Sequence, residues 1–385
     1  MHQRIVRDDD VRGSGRLAVQ WRRHADLTAA DHARWADLSI AAGAANIFAQ
    51  HWFMDAALRH SGSEHDVRLA IVSGEDGAWQ GVLPLAQEPL FGRWPVANWQ
   101  SWSATNQFLG SPLVRPGAAP RFWEALLCHL DDRPGGEMLL HCQEFARDDP
   151  ACAALIAHCK DSGRGLRMFG RFDRPAHMPD GDAAPDGKKQ ARLRALRRKL
   201  ERDHGPASVE MLDMGADPAD WIDGFLALEK SGWKGREGSA LACAPETEGL
   251  FRDVIIRGLQ HGQARLATLK VGGRAVAMSS WFVHGDHGAG FKMAYDEGLR
   301  SYAPGLLLMR DVAERAGRNP AMLFDTCAPT AGGCGQPLWN GRRTIFDCAV
   351  AIGPPRRRWL FGGLMQARAA YAAVRSAMRR TTSPA

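Results

Sequence analysis

The residues best suited to chemistry are concentrated in one stretch of the chain, KMAYDEGLRSYAPGLL, at positions 292–307. This stretch holds an amine, carboxylates, a guanidinium and two of the three tyrosines, all groups that bind substrates or exchange protons with them. The pattern predicts a strand ending at Tyr295, a short polar loop, and a helix opened by Pro304, because proline suits the first helical position. Gly305 follows, and glycine weakens a helix by about 1 kcal/mol relative to alanine, so its presence needs a reason.

The start of this helix offers a site for an anion. The first amide groups of a helix have no partner within it and carry a partial positive charge. We expect the amides of Gly305, Leu306 and Leu307 to point out of the helix, where the missing side chain of Gly305 lets a phosphate approach. Arg300 can add a charged contact. The alternative is a plain strand-to-helix turn, in which Pro304 and Gly305 serve only the geometry.

The elements that must position these residues alternate between strands and helices in both halves of the chain. The strands predicted in the first half include 67–73, 80–89, 97–102 and 166–172. The second half is predicted to contain a basic helix at 188–202, a strand at 208–212, helices at 218–230 and 245–260, strands at 264–271, 275–284 and 289–295, a helix at 306–316, and strands at 322–325 and 344–352. Two halves of this kind indicate an internal duplication.

The stretch 173–187, DRPAHMPDGDAAPDG, has three prolines and little apolar content, which is typical of a linker. We therefore predict an N-terminal domain at 1–172, a C-terminal domain at 188–352 and an appended tail at 353–385. The expected fold class is α/β (α+β), with mixed, largely antiparallel sheets flanked by helices.

Composition favours a globular protein large enough for two domains. Apolar residues make up 45% of the chain and charged residues 24%. The sequence contains no run of about 18 apolar residues, so we predict no membrane-spanning helix. The N-terminal segment is charged and lacks the apolar core of a signal peptide, so we expect a cytoplasmic protein. The eight cysteines are scattered without a C-x-x-C pair, which indicates reduced, mostly buried thiols and no metal site.

The net charge of +6 is carried by two local blocks. Residues 188–202 sum to +7, and residues 356–385 hold seven arginines and no acid, which leaves about −8 for the rest of the chain. The net positive charge of the chain therefore does not indicate a general surface for nucleic acid, and we do not expect nucleic acid as a partner.

The second half resembles the Gcn5-related N-acetyltransferase (GNAT) fold in its order of strands and helices. In that family the turn before the helix reads Arg/Gln-x-x-Gly-x-Gly/Ala and binds the pyrophosphate of acyl-CoA. Residues 300–305 read RSYAPG, with Ala303 in place of the first glycine. The segments LALEKSGWKGREGSALA (226–242), KMAYDEGLRSYAPGLLL (292–308) and LFDTCAPTAGGCGQPLWNGRRTI (323–345) resemble the CelD/BcsL-type acetyltransferases, a GNAT branch linked to bacterial polysaccharide biosynthesis. Two GNAT-like halves in tandem also occur in the FemABX aminoacyltransferases.

The resemblance implies two tandem GNAT-like domains and an enzyme that transfers an acyl group, most simply acetyl, to an amine or hydroxyl. Acetyl-CoA or another acyl-CoA would be the co-substrate, without a metal, and a small molecule or glycan would be the acceptor. The acyl-CoA site would comprise Arg300, Ala303, Gly305, Leu306 and Leu307.

Acyl transfer from a thioester needs a neutral nucleophile, a donor for the developing oxyanion, and a proton for the departing thiolate. We expect Asp296 to act as general base or to hold an acceptor amine, and Tyr302 to act as the acid. Lys292 either holds an acidic acceptor or polarises the thioester carbonyl. The alternatives are a capped turn with Tyr295 and Tyr302 packed in the core, and a lysine that faces solvent.

Further residues are expected around the substrate. Glu229, Trp233 and Lys234 lie where a helix ends in a glycine-flanked loop, a setting that often binds ligands, although Trp233 can equally be a core residue. Tyr295 flanks the reactive loop. Asp325 ends a strand that runs beside the cofactor in this fold, and Trp339 belongs to a loop expected to pack over the site.

Two other functions stay open at this stage. The basic helix 188–202 could hold the phosphates of an aminoacyl-tRNA, as in a FemABX-like transferase. The replacement of glycine by Ala303 also allows a non-enzymatic scaffold with a degenerate GNAT fold.

The tail 356–380 combines arginines with Trp, Phe and Leu on a helical pattern. This composition predicts an interfacial helix at the anionic inner membrane surface. The alternative is a helix packed on its own acidic body.

Overall fold

A computed structural model describes residues 17–43, 46–62, 65–132, 135–179, 187–213, 215–319, 321–328 and 338–381. The strands are β1 (Ala18–Arg23), β2 (Arg68–Ser73), β3 (Trp79–Glu88), β4 (Asn98–Ser101), β5 (Leu113–Val114), β6 (Leu139–Ala146), β7 (Leu166–His177), β8 (Ala207–Met211), β9 (Ala264–Val271), β10 (Arg274–His284), β11 (His287–Tyr295), β12 (Leu323–Asp325) and β13 (Gly341–Ala351). The helices are α1 (Ala29–Ala41), α2 (His51–Ser61), α3 (Ala119–Asp132), α4 (Pro150–Asp161), α5 (Gly187–His204), α6 (Ala219–Ser231), α7 (Trp233–Arg236), α8 (Pro245–Gln260), α9 (Pro304–Ala316) and α10 (Pro355–Thr381).

The described strands join in a single mixed sheet flanked by helices. Its order is β1-β2-β3-β4-β6-β13-β7-β12-β11-β10-β9-β8, with β5 paired to β3. We call residues 17–179 the N-terminal half and residues 187–351 the C-terminal half. Each half begins with four antiparallel strands, continues through a helix, and adds a strand parallel to the fourth: β6 beside β4, and β12 beside β11. The repeated order confirms the predicted fold class, two GNAT-like units in tandem.

The halves are joined by exchanged strands at the centre of the sheet. Strand β13 of the C-terminal half lies between β6 and β7, and β7 of the N-terminal half lies between β13 and β12. Because β7 pairs with β12, it runs to His177, so the first residues of the expected linker are strand. The division at 172 and 188 stays a prediction, since both halves complete one shared sheet.

One apolar core also spans both halves. Phe48 and Phe53 of the N-terminal half pack with Phe251, Phe282 and Phe291 of the C-terminal half, all of them buried. Helices α2 and α8 lie against each other over this core. Burying aromatic rings from both halves favours one cooperative unit, because each ring contributes about 2 kcal/mol of burial.

The C-terminal helix α10 begins by packing on the protein itself. Phe361 and Met365 are buried, and the Arg368 guanidinium lies 4.1 Å from the ring centres of both Phe91 and Phe169. Trp359 is 82% exposed. The first part of α10 therefore matches the alternative expected for the tail, a helix packed on its own body. Across the described residues, no helix is both long and apolar enough to cross a membrane.

Candidate functional site

A cleft lies where two parallel strands of the C-terminal half separate. Strands β11 and β12 pair at residues 287–289 and 323–325, and β11 then continues to Tyr295 whereas β12 ends at Asp325. The gap holds a cleft of about 350 Å³. Its walls come from β10 and β11, from helices α7 and α9, from residues 326–328 after β12, and from Phe108 of the N-terminal half. A concave, mainly apolar cleft with a few polar groups is the usual form of a small-molecule site.

A β-bulge directs Lys292 into this cleft. In the pairing of β10 with β11, Ser280 is opposite Lys292 and Trp281 is opposite Gly290, so Phe291 has no partner. Strict alternation would place neighbouring side chains on opposite faces of the sheet, but the extra residue breaks it. The Lys292 Nζ lies 5.9 Å from the Phe291 ring centre, and both residues line the cleft. Lys292 is therefore a cleft residue and does not face bulk solvent.

The surroundings of Lys292 lower its pKa to about 8, chiefly through burial. The cation of Lys234 lowers the pKa further, while the Glu229 carboxylate raises it. The amine donates a hydrogen bond to the Asn106 side-chain oxygen and lies 5.8 Å from the Phe108 ring centre. An amine that changes charge near neutral pH, inside a cleft, is typical of a functional residue.

Two of the three residues expected around the acceptor, Trp233 and Lys234, line this cleft, and the third, Glu229, bonds to Lys234 behind it. Glu229 is 5% exposed, and its two oxygens accept from Lys234 Nζ at 2.7 Å and from the Leu241 amide at 2.8 Å. Lys234 and Trp233 line the cleft, and Trp233 is 47% exposed at its rim. The Trp233 amide donates to Glu297 at 2.6 Å, which ties α7 to the turn before α9.

The turn expected to bind phosphate contains a strained residue. Ala303 has φ 52° and ψ 52°, the left-handed conformation that glycine adopts most easily. It stands at the position where the family pattern has its first glycine. The amides of Leu306 and Leu307 both donate to the Ala303 carbonyl at 3.0 Å, so two of the three expected donors already have an internal partner. Backbone strain of this kind often accompanies a binding turn.

Gly305 has a packing reason of its own. A Cβ there would lie 3.2 Å from Tyr295 Cδ1 and 3.3 Å from Met293 Sδ, closer than most side-chain contacts. The glycine thus lets α9 approach β11. This packing role matches the alternative given above, in which Pro304 and Gly305 serve only the geometry of the turn. Arg300 is exposed and is the cation nearest to the turn along the chain.

Asp296 and Tyr302 lie outside the described lining of the cleft. The two Asp296 oxygens accept from the Gly298 amide at 2.8 Å and from Arg274 at 2.7 Å. The Tyr302 hydroxyl donates to Asp203 at 3.0 Å, with Lys199 5.1 Å from its ring centre. These contacts favour residues that hold the turn and connect it to α5. Their roles as base and acid stay predictions.

Asp325 and Trp339 are placed in the seam between the halves. Asp325 is fully buried and accepts from Arg174 at 2.5 Å and from Arg343 at 2.9 Å, and these arginines belong to β7 and β13. A buried carboxylate with two charged partners holds three strands together. Trp339 is also buried, stacked on Phe324 at 5.3 Å between ring centres. Their contacts are structural, and their expected contact with substrate stays a prediction.

Sequence reasoning missed Asn106, the partner of Lys292. Asn106 lies on the loop between β4 and β5 of the N-terminal half, 186 positions away in the chain. Asn106 has a φ of 75°, a left-handed backbone conformation that asparagine adopts more readily than most residues. A single polar residue in a loop without periodicity gives no signal, so only the fold could reveal this pairing.

The basic helix α5 lies beside the 300–305 turn. Its contacts to the turn run through Tyr302, which bonds to Asp203 and lies under Lys199. The exposed cations of α5 are Lys188, Lys189, Arg192, Arg194, Arg198, Lys199 and Arg202. The turn therefore sits next to a surface suited to an anionic ligand.

Residues 187–332 match the acetyltransferase (GNAT) domain family. The matched region, from α5 through β12, contains the turn and most of the residues that line the cleft. None of the curated proteins is significantly similar to this chain in sequence. The narrower resemblance to the CelD/BcsL-type enzymes stays a prediction.

Solved structures share the fold across both halves. The C-terminal domain (DUF2156) of a protein named as a lysylphosphatidylglycerol synthetase, from Agrobacterium fabrum, has 14% identity and a TM-score of 0.52, covering 83% of this chain and 91% of that one. A conserved protein of unknown function from Bacteroides thetaiotaomicron has 13% identity and a TM-score of 0.52, covering 86% and 100%. FemX has 12% identity and a TM-score of 0.51, covering 85% and 96%. At these identities the likeness concerns the fold alone.

Proposed function

We propose that this protein transfers an acyl group from acyl-CoA to an amine or hydroxyl of an acceptor held in the cleft. The observation that carries the proposal is the Lys292 amine, with its pKa lowered to about 8, inside the cleft between β11 and β12. The strained turn at Ala303 opens the helix that forms one wall of the same cleft. Donor and acceptor would thus meet at the separation of the two strands.

In this mechanism Lys292 acts as an ammonium ion. The acceptor lone pair attacks the thioester carbonyl carbon, and the carbonyl electrons form an oxyanion beside the Lys292 ammonium. The C–S bond then breaks, and the thiolate takes up the proton that the acceptor loses. Asn106 orients the amine, because its side-chain oxygen accepts a hydrogen bond from Nζ. Burial strengthens the attraction between the ammonium and the oxyanion.

The donor would lie along the turn and α9. Arg300 and the neighbouring cations of α5 supply positive charge for the CoA phosphates. Met309 and Val312 of α9 give the cleft an apolar wall suited to the pantetheine arm. Acetyl is the simplest acyl group, and the volume of the cleft also admits somewhat larger ones.

The test is a panel of acyl-CoA compounds with the purified full-length protein. We expect a thermal shift with at least one member, and release of free CoA when amino sugars, amino acids or other small amines and alcohols are added. No thermal shift with any acyl-CoA, together with no CoA release, would reject the proposal and favour the non-enzymatic scaffold.

The exposed cations of α5 beside the turn favour a second candidate function. An aminoacyl-tRNA donor, as in FemABX-like enzymes, would place its phosphates on this surface. Filter binding with charged tRNA distinguishes the two donors. Tight binding that falls steeply with salt, combined with no response to acyl-CoA, would favour tRNA.

The cellular setting is also part of the proposal. A polysaccharide or cell-envelope acceptor fits the CelD/BcsL resemblance. Trp359 is 82% and Leu360 54% exposed, next to the arginines at the start of α10, and this pair fits an anionic membrane surface. Co-sedimentation with anionic and neutral liposomes tests this contact, using Trp359→Ser as the variant. Equal pelleting of both proteins with both liposomes would reject it.

A further inference from the structure

Two histidines and an aspartate converge on one point of the N-terminal half, away from the cleft. His24 lies in a short 3₁₀ turn before α1, His32 in α1 and Asp55 in α2. Their nitrogen and oxygen ligand atoms all lie within 4.8 Å of one another. Within the described part of the chain, no other three histidine, cysteine, aspartate or glutamate residues come this close.

The distances suit a zinc ion. His24 Nε2 lies 2.8 Å and His32 Nδ1 3.7 Å from the same oxygen, Asp55 Oδ1. Tetrahedral zinc with bonds of about 2.1 Å separates its ligand atoms by about 3.4 Å, which lies between these two distances. Placing the Asp55 oxygen and both nitrogens on one ion therefore requires the His24–Asp55 pair to open and the His32–Asp55 pair to close, each by less than about 1 Å.

The carboxylate is held in the orientation that this requires. Asp55 Oδ2 accepts from Arg257 at 3.0 Å and also from Arg59, which leaves Oδ1 turned towards the histidines. Partners of this kind, one step removed from a metal, commonly fix the ligand group. The two arginines do not make the location strongly cationic, because Asp253 pairs with Arg59 at 3.0 Å and with Arg257 at 2.7 Å.

A further imidazole lies beside these three residues. The His51 Nε2 is 3.1 Å from His32 Nδ1, and the His51 ring packs 5.2 Å from Trp35. A tetrahedral zinc ion has four coordination positions, so the fourth is open to water or to the His51 ring.

We propose that His24, His32 and Asp55 bind one zinc ion. The ion would fasten the turn before α1 and α1 itself to α2. Through Asp55 and Arg257 it would also reinforce the contact between α2 and α8, and so between the two halves. The partial exposure of both histidines gives the ion a path from solvent. This proposal is independent of the proposed acyl transfer.

Cobalt(II) provides a direct test, because it replaces zinc and absorbs strongly in the visible range when four-coordinate. Full-length protein is stripped with EDTA, freed of chelator and titrated with Co²⁺ at pH 7.5. We expect saturation at one ion per chain, displacement by Zn²⁺, and a higher thermal midpoint with zinc. His24→Ala and His32→Ala should each weaken binding at least tenfold. His60→Ala on the same helix as Asp55 is the matched control and should bind as wild type does.

Two results would overturn the proposal: no four-coordinate cobalt spectrum with the wild-type protein, or equal binding by wild type and both ligand variants. Circular dichroism of the stripped proteins shows whether the variants fold. If they do not, the wild-type protein alone decides. Its bound ion should be released as pH falls to about 5, where unbound imidazoles take up protons. An ion retained at that pH would be bound elsewhere.

Discussion

The two halves have the same strand order, yet the corresponding separation between strands differs between them. In the C-terminal half the separation of β11 from β12 holds a cleft. In the N-terminal half β4 pairs with β6 only at residues 98–100 and 139–141, and the chain itself occupies the space beyond. The Gly110 amide donates to the Glu144 carbonyl at 3.2 Å, and residues 113–114 pair with β3.

The difference lies in the connection that follows the fourth strand. In the C-terminal half β11 continues to Tyr295, and a short turn leads directly into α9. In the N-terminal half the chain leaves the sheet after Ser101, returns at Gly110, and reaches its helix only at Ala119. The tip of this longer loop carries Asn106 and Phe108 to the open cleft. The N-terminal half has thus filled its own separation and supplies a wall to the other one.

The largest expected effect comes from removing the cleft amine. Lys292→Met keeps the length and apolar stem of the side chain but cannot stabilise an oxyanion. We expect kcat/KM for acyl transfer to fall by about 10² to 10³. Lys270→Met, which removes a surface lysine paired with Glu210, is the control and should retain activity. Equal activity of the two variants would remove Lys292 from the mechanism.

The second largest effect is expected at Gly110, where the chain fills the space between β4 and β6. A Cβ at Gly110 would lie 2.3 Å from the Gln143 carbonyl oxygen, which the backbone cannot accommodate without moving. Gly110→Ala should therefore lower the free energy of unfolding by about 2 to 3 kcal/mol in urea titrations. Gly136→Ala is the control, because a Cβ there would meet nothing within 4 Å. If both variants are equally stable, the chain does not fill this separation as tightly as described.

The pH dependence of the rate distinguishes two roles for the amine. Lys292 has its pKa lowered from 10.5 to about 8, and the proposed mechanism needs the protonated form. The rate should hence fall about tenfold per pH unit above pH 8. Lys292→Arg should lose this decline, because a guanidinium stays charged. A rate that rises through pH 8 would instead make Lys292 a general base.

The smallest effect is expected at the contact between the halves. Asn106→Gly removes the amide that orients Lys292 and keeps the positive φ without strain. We expect kcat to fall about threefold to tenfold, which is the effect expected from the loss of one hydrogen bond that orients the amine. Phe108 should keep the cleft closed on this side, so the KM for acyl-CoA should change little. A loss as large as that of Lys292→Met would mean that Asn106 contacts the substrate.

Local signals predicted much of the C-terminal half. The strand at 264–271 and the helix at 245–260 have the predicted bounds, and the glycine pair at 272–273 forms the expected hairpin. Each depends on periodicity or turn chemistry within a few residues. The helix after Pro304 was expected for the same reason.

Features set by distant pairing were not predictable. Nothing in the sequence of β13 indicates that it inserts between β6 and β7, because that choice depends on which edges the other half leaves open. The bulge at Phe291 is likewise invisible, since the residue fits an ordinary strand pattern. Asp325 lies on a predicted strand, but its pairing with Arg174 depends on the strand exchange. Of the predicted site residues, Lys292, Trp233 and Lys234 line the cleft, and the roles assigned to them stay predictions.

The proposed function requires one donor site on the chain, at the turn of the C-terminal half. Calorimetric titration of the full-length protein with acetyl-CoA tests it most directly, comparing wild type with Arg300→Glu and with Arg318→Glu, an exposed charge reversal beyond the far end of α9. We expect one binding site per chain, with affinity weakened at least tenfold by Arg300→Glu and unchanged by Arg318→Glu. Two sites per chain, no binding at all, or equal weakening by both variants would contradict it.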